Sequence, residues 1–553
     1  MDTSEIREYF SDSGSDTETY YDSSSDTSSD TSSDSSSDSS SDSSECEPSQ
    51  RRARSSYWTT ENFVPRNWYF DSESSGLNNE ITIEDKIPIN YFKLFFDDDL
   101  MKIIVEETNR YRLQNGKGPS RKTANWYPTT KEEMYIFLAT TMLMGINPKA
   151  KIKDYWSTDL LILTPIFSKM FTRNRYLSLL KYLHFSDNTV ESSSRLRKLK
   201  TIIENLKQKF SNIMNPFQNL CIDESLMLWK GRLAFRQYIP FKRHRFGVKL
   251  FLLCDCETKF VLDFIVYTGS DTAIDVTPDI GISGSIVMTL MEKYLGKGHI
   301  LYVDNWYSSP KLFETLANSN TGACGTVKKN RNGMPSFPER LRRGEQVHKC
   351  TEDLLAIKWK DKRDVFMITT VHTADMISTG KIDAKTQREI MKPRCIKEYN
   401  QNMGAVDQVD MQISFSECVR KCIKWYKKLF FHLLDIAVQN AYALYKLENS
   451  VKPQLAEFRL QLIRELYELY GSQRPNFTGR STTDIPLRLT ARHFPSLIPS
   501  SAIKKNPQRK CIVCSSSTRR PKVRKDSRYQ CTECDVGLCI NDCFKDYHTL
   551  KHF

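Results

Sequence analysis

The sequence predicts a mixed α/β core set between helical segments, with a small metal-stapled domain at its C-terminal end. Three observations carry that prediction. Residues 219–330 abandon helical spacing for runs of strand-forming residues interrupted by two helical stretches. Residues 87–218 and 416–495 space their apolar residues as helices do. Six of the 15 cysteines crowd between Cys511 and Cys543, a density that points to metal in a reducing compartment rather than to a secreted disulfide scaffold.

A chain of 553 residues exceeds one domain. Its most apolar run, residues 135–146, is too short and too rich in Thr to span a bilayer. No membrane partner is expected, and the acidic N-terminus is no secretory signal. The net charge of +13 conceals a split. Residues 1–50 hold fourteen acidic residues against Arg7 alone, which leaves +26 on the remainder. A folded part that basic suits a polyanion, nucleic acid first, although solubility alone is the plainer reading.

In chain order, residues 1–86 read as a disordered acidic tail. Asp recurs at 22, 26, 30, 34, 38 and 42 among Ser and Thr, with too little apolar surface to offset ordering. The tail is either a solubility device, a phosphorylation target, or a competitor with nucleic acid for the basic body. Residues 87–218 read as helical: Asp97, Asp98 and Asp99 offer cap chemistry before Leu100, Ile103 and Ile104, and residues 132–145 and 173–183 are expected to be amphipathic. Their Arg and Lys residues mark solvated faces or DNA contacts. Residues 219–330 give three strands, a helix, a strand, a helix and a strand, an order that matches the RNase H-like fold. Residues 331–392 hold a β-hairpin pattern and read as an insertion into that core. Residues 393–415 return to it, 416–495 are helical again, and 496–507 form a linker before a cysteine-rich domain at 508–553.

Three acidic positions stand out. Asp223 lies within the first core strand, Asp304 ends a later one, and Asp407 sits on a helix with Asp410 one turn on. Phosphoryl transfer by two divalent ions needs carboxylates gathered from such distant positions, and Mg²⁺ or Mn²⁺ suits them. On the residues alone, an Asp ending a strand is more often a turn former, and Asp255 and Asp263 compete for the role. Trp306 either packs in the core or stacks on a base.

The C-terminal spacing is Cys511-x2-Cys514-x16-Cys531-x2-Cys534-x4-Cys539-x3-Cys543-x4-His548-x3-His552. Two CxxC knuckles and four later ligands suffice for two tetrahedral Zn²⁺ sites, which would supply folding energy to a segment with little core. We expect an interleaved arrangement: Cys511, Cys514, Cys539 and Cys543 on one ion, Cys531, Cys534, His548 and His552 on the other. The basic residues from Lys504 to Lys525 suit DNA or a nuclear localisation signal.

The strings Cys221-Ile-Asp-Glu-Ser225, Lys230-Gly-Arg232, Arg236-Gln-Tyr-Ile-Pro240, Arg245-Phe-Gly-Val-Lys249, Val303-Asp-Asn-Trp306 and Tyr399-Asn-Gln-Asn-Met-Gly-Ala-Val-Asp407 occur in this order. Together they resemble the piggyBac transposase family, including the piggyBac transposable element-derived proteins of animal genomes. The resemblance runs from about Pro88 to the C-terminus. It implies an RNase H-like core split by an insertion domain, a two-part helical dimerisation and DNA-binding domain, and a C-terminal zinc cross-brace that reads transposon ends. It further implies a catalytic triad at Asp223, Asp304 and Asp407, a fourth acid at Asp410, cleavage at transposon ends through a DNA hairpin, and joining at TTAA targets. A homodimer acting in the nucleus on double-stranded DNA follows. Met411 stands where the family commonly has Gln. A transposase-derived host DNA-binding protein without the reaction is the alternative. A zinc-based peptide-binding adaptor rests on the zinc spacing alone.

Overall fold

The computed structural model describes residues 58–115, 126–239, 245–382, 387–418, 424–471, 489, 493–500, 504–550 and 552–553. Most of the acidic tail therefore lies outside the described residues. Two compact units divide them, one within 1–148 and 169–472, the other within 149–168 and 473–553.

The first unit is built on strand β1 (Asn219–Leu228). Its apolar residues are buried at nearly every position, as expected of a strand covered on both faces. β2 (Phe246–Asp255) pairs antiparallel with it, Asp223 opposite Leu252, and β3 (Val261–Val266) pairs antiparallel with β2. On the other side of β1, β4 (Ile300–Val303) runs parallel, with Ile222 opposite Val303. β5 (Gly322–Thr326) is parallel to β4. A parallel pair needs a crossover, here the helix Pro310–Asn318, whose N-cap Ser309 hydroxyl accepts from Leu312 N–H and whose first residue is Pro310.

The sheet does not stop at β5. β6 (Gln346–Cys350), β7 (Leu355–Lys360) and β8 (Asp364–Thr369) extend it, because β8 pairs antiparallel with β5, Cys324 opposite Thr369. With Gln237–Tyr238 at the far edge, nine described strands share one sheet. Much of the stretch read as an insertion thus continues the core sheet. Its register is set by Thr370, whose backbone N–H donates to Ala323 O and whose hydroxyl accepts from Ala323 N–H. The hairpin β9 (Met376–Ile382) and β10 (Glu389–Pro393) forms a separate pair.

Residues 58–86 also depart from the expected tail. Thr59 and Cys350 exchange backbone hydrogen bonds of 2.8 Å each, closing the outer edge of β6. Trp58 Nε1 donates to Gly333 O at 3.0 Å, Arg66 pairs with Asp353 at 2.6 Å, and Gly76–Leu77 pairs with Met214–Asn215. Gly298, at φ +75°, approaches this strap so closely that a Cβ would lie 2.1 Å from Tyr69 O. Next to it His299 is buried, with Nδ1–H donating to Phe217 O at 3.1 Å and Phe70 against its ring. Burial pushes this imidazole down to about 4. A base whose folded pKa is depressed stabilises the fold above its unfolded value and loses that contribution as pH falls. Stability is therefore expected to drop by about 3 kcal/mol between pH 6.5 and 4 from this group alone, and His299→Phe to flatten that limb in denaturant titrations.

In the helical part, α1 (Pro88–Lys93) packs on two later helices, α4 (Trp425–Glu448) and α5 (Leu455–Tyr470), α3 (Lys131–Ile146) packs on α5, and α2 (Asp98–Asn115) packs on α3. α3 is capped by Thr130, whose side chain accepts from Glu133 N–H. Rather than one apolar face, α3 buries nearly every residue from Met134 to Gly145, because neighbours enclose it. On α4, Asn440 bonds both backbone groups of Val261 at 2.8 Å, joining the helices to the edge strand β3. Within the core, Arg459 pairs with Asp435 at 2.8 Å, both side chains almost fully buried. Arg459 also donates to Ser416 O, and Asp435 accepts from Cys418 N–H at 3.0 Å. Removing one member strands a buried charge, so Arg459→Met is expected to lose about 3–5 kcal/mol in denaturant unfolding.

Candidate active site and metal centres

The ladder between β1 and β4 ends at Ile222 and Val303. Asp223 and Asp304 are the next residue on each strand, so parallel register brings them side by side beyond the last paired rung. Asp223 Oδ1 accepts from Glu224 N–H at 2.8 Å. Asp304 opens a tight turn in which its Oδ1 accepts from Trp306 N–H at 2.9 Å and its carbonyl from Ser308 Oγ at 2.9 Å. The turn itself supplies the hydrogen bonds that orient the carboxylate.

The helix that follows Gly404, α6 (Ala405–Ser414), packs on β1 and buries Val406, Val409 and Ile413. It carries Asp407, exposed in its first turn, and half-buried Asp410. Ser225 Oγ donates to Asp410 Oδ1 at 2.5 Å. Ser225 lies two residues beyond Asp223, hence on the same face of β1. The helix bearing Asp407 is therefore fastened to the strand bearing Asp223 from that face. Its far end is held by the Arg459–Asp435 pair through Ser416 and Cys418. Gly145 makes this possible, since a Cβ there would meet Ser416 O at 2.3 Å.

Burial raises the Asp304 carboxyl above the usual range; the bonds from Trp306 and Tyr307 N–H oppose this and Glu224 reinforces it. The phenol of half-buried Tyr399 is likewise raised, mainly by desolvation, with Asp304 and Asp223 contributing. Among the described residues the carboxylates of Asp223, Asp304 and Asp407 do not form a group with ligand atoms within 4.8 Å of one another; carboxylate oxygen is nonetheless the donor that Mg²⁺ or Mn²⁺ takes. Neither Asp255 nor Asp263 joins this group. Asp255 accepts four hydrogen bonds, from Phe217, Glu257 and Thr258 N–H and Thr258 Oγ, and so shapes a turn. Asp263 pairs with Lys207 at 3.3 Å.

Ser225 and Lys249 escape a reading of the sequence. Lys249 Nζ lies 4.8 Å from the Trp306 ring centroid and 4.0 Å from Glu224. Trp306 stacks on Phe251 at 5.7 Å and 11°. One face of its ring is thus spent on packing, while 36% of the residue remains exposed.

In the second unit the cysteines gather into two groups, each with its ligand atoms within 4.8 Å of one another. The first is Cys511, Cys514, Cys539 and Cys543. Cys514 Sγ lies 3.9 Å from Cys539 Sγ and 3.6 Å from Cys543 Sγ, far beyond a disulfide. A zinc tetrahedron with bonds of 2.3 Å has edges of about 3.8 Å. The second group is Cys531, Cys534, His548 and His493. Cys534 Sγ lies 3.5 Å from His493 Nδ1 and 3.7 Å from His548 Nε2.

His493 thus stands where the sequence reading expects His552. The cause is a strand. Residues Pro495–Leu497 pair antiparallel with Tyr529–Cys531, Pro495 opposite Cys531, and so bring His493 back beside the second knuckle. His552 is exposed, and the chain end is drawn elsewhere by Thr518 N–H donating to Phe553 O at 2.8 Å. The same pairing moves the start of this unit back across the stretch read as a linker, to His493 and Pro495 at the end of the stretch read as helical.

A mixed sheet with acids beyond its central parallel ladder, joined in one chain to a Cys/His metal unit, defines a transposase-type protein. Comparison with known proteins agrees. Residues 87–442 match the family model described as Transposase IS4, of piggyBac type, and residues 495–549 match a DDE_Tnp_1-like zinc finger. The chain belongs to the piggyBac transposase family. It is 23% identical to human PiggyBac transposable element-derived protein 3 over 478 residues, 84% of this chain and 76% of that one. It is 22% identical to human PiggyBac transposable element-derived protein 2, across 85% and 80% of the two chains. The fold is similar to a piggyBac transposase solved by cryo-EM as a synaptic complex with hairpin DNA, with a TM-score of 0.65, 22% identity, and coverage of 84% of this chain and 97% of that one.

Proposed function

We propose that the protein is a DNA transposase, cutting strands at the ends of a mobile element and joining the freed 3′-hydroxyls to TTAA target DNA. The observation supporting this reading best is the side-by-side position of Asp223 and Asp304 beyond the β1–β4 ladder, with the Asp407 helix fastened to the same strand. The strand order β3-β2-β1-β4-β5, antiparallel then parallel, supports an RNase H-like core. Asp223, Asp304 and Asp407 would hold the divalent ions, with Asp410 orienting the helix through Ser225. Bound Mg²⁺ would activate the attacking oxygen and stabilise the leaving one. The chain's own part is to hold three carboxylates rigidly and to present DNA to them. The C-terminal unit would bind Zn²⁺ and contact end DNA through its basic residues, in a homodimer within the nucleus.

A second reading has one specific observation in its favour. The two human relatives are named as derived from a transposable element, and a host DNA-binding protein would keep this fold without the reaction. Excision in cells from a plasmid bearing the cognate terminal repeats around a reporter decides between them. Seamless restoration of the reporter by the wild-type chain is expected. Specific binding of end DNA without excision would establish the second reading instead.

A further inference from the structure

The turn that carries Asp304 is exposed at Asn305 and Trp306, yet it is clamped from outside. Arg331, in the loop between β5 and β6, donates from Nη2 to Asn305 O at 2.5 Å and to Trp306 O at 3.1 Å. The turn's own N–H groups at 306, 307 and 308 all point to Asp304, so a donor from elsewhere serves these two carbonyls. Arg331 itself opens a β-turn. Met334 N–H donates to Arg331 O at 3.0 Å, and Gly333 supplies the positive φ, +86°, at the third position. The strap reaches the same turn, because Trp58 donates its indole N–H to Gly333 O. We propose that Trp58 and Arg331 are positioning residues, through which the N-terminal strap holds the Asp304 turn in its reactive geometry. The proposal rests on the transposase reading above.

Three observations favour positioning over a contact with DNA. Arg331 Nε is buried and has no hydrogen-bond partner among the described residues. The guanidinium is thus set into the loop, whereas an Arg that grips a phosphate presents its fork outwards. The loop also touches the far end of the Asp304 segment: a Cβ on Gly333 would lie 3.4 Å from Pro310, the first residue of the crossover helix. Asp304 is therefore braced twice, at its turn by Arg331 and at the following helix by Gly333. Trp58, finally, has one polar group, a donor, and spends it on this loop. Its neighbour Thr59 exchanges two backbone bonds with Cys350, so a fixed strap delivers the indole. A carboxylate that is to hold a metal works only if the groups supporting it keep it within about 0.5 Å of the productive place. The strap then acts on Asp304 through a single loop.

The test uses the full-length chain without added Mg²⁺ and follows amide hydrogen exchange by mass spectrometry in a peptide covering residues 304–309. Arg331→Ala is expected to speed exchange there about tenfold, and Trp58→Phe, which keeps a ring and loses the donor, about threefold. Exchange in β1 is expected to stay at the wild-type rate in both. Should Arg331→Ala loosen β1 as well, Trp58→Phe carries the decision. The double variant is expected to match Arg331→Ala alone, because one residue acts through the other. With Mg²⁺ and saturating end DNA, single-turnover cleavage is expected to fall in the same order while DNA affinity stays within about twofold. Unchanged exchange at 304–309 in Trp58→Phe, additive effects in the double variant, or faster exchange with undiminished cleavage overturns the proposal and leaves the transposase reading standing. Failure of the wild-type chain to cleave end DNA in Mg²⁺ or Mn²⁺ overturns both.

Discussion

Replacing Asp304 with Ala is expected to reduce cleavage of end DNA about a thousandfold, a loss of about 4 kcal/mol in transition-state stabilisation, while binding of the same DNA stays within a few-fold. Asp223→Ala should behave alike, because the two residues occupy equivalent positions past the β1–β4 ladder. Asp304 gains its setting from its own backbone turn, so the substitution leaves the sheet intact. Ser225→Ala offers the internal contrast. It removes only the bond to Asp410, a charge-assisted contact worth about 1.5–3 kcal/mol, and the expected loss is roughly tenfold. Single-turnover cleavage alongside a gel-shift titration reads both quantities. Equal activity of Asp304→Ala and wild type would remove Asp304 from the reaction.

The second large effect concerns zinc. His493→Ala is expected to release one of two zinc ions per chain and to unfold the C-terminal unit in part, whereas His552→Ala should retain both. The stake is high, since structural Zn²⁺ contributes about 10–16 kcal/mol of apparent binding energy in small domains and this unit buries only a small cluster around Cys511, Val513, Cys531 and Leu538. Metal analysis of the purified full-length variants gives the ratio directly, and thermal melting with and without chelator reports the stability. Loss of zinc in His552→Ala with none in His493→Ala would reverse the ligand assignment.

That pair of substitutions also marks how far the sequence could be read. The first ligand group was legible because its four cysteines fall in close knuckles whose spacing limits the alternatives. His493 lies 38 residues before Cys531 in a proline-rich stretch, and nothing local marks it as a ligand. The available signal was the short strand Pro495–Leu497 beside it, too brief for any periodicity. The acidic site was legible only through several strings taken together, since an Asp at a strand end is ordinary by itself. Ser225, two positions from Asp223, was unreadable because its role depends on which turn of a helix 185 residues away faces it. The hairpin of β7 and β8 was visible as a pattern, but strand pairing across Cys324 and Thr369 decides whether it extends the sheet. In residues 58–86, polar composition outweighed the aromatics Trp58, Phe63 and Phe70, which the fold uses to fasten the strap.

The strap has a consequence for how the chain is made. Thr59 finds its partner Cys350 only 291 residues later. During synthesis at about 5–20 residues per second, that is a wait of roughly 15–60 s. Throughout it, the strap residues have no edge strand to close. The same delay holds for the core: β1 leaves the ribosome well before β4, and the Asp407 helix and Arg459 follow later still. Contacts so distant in sequence slow folding and leave strand edges unpaired meanwhile. The first residues described in this fold are thus among the last to be committed to it, and the sheet becomes sealed at its β6 edge only after most of the chain exists.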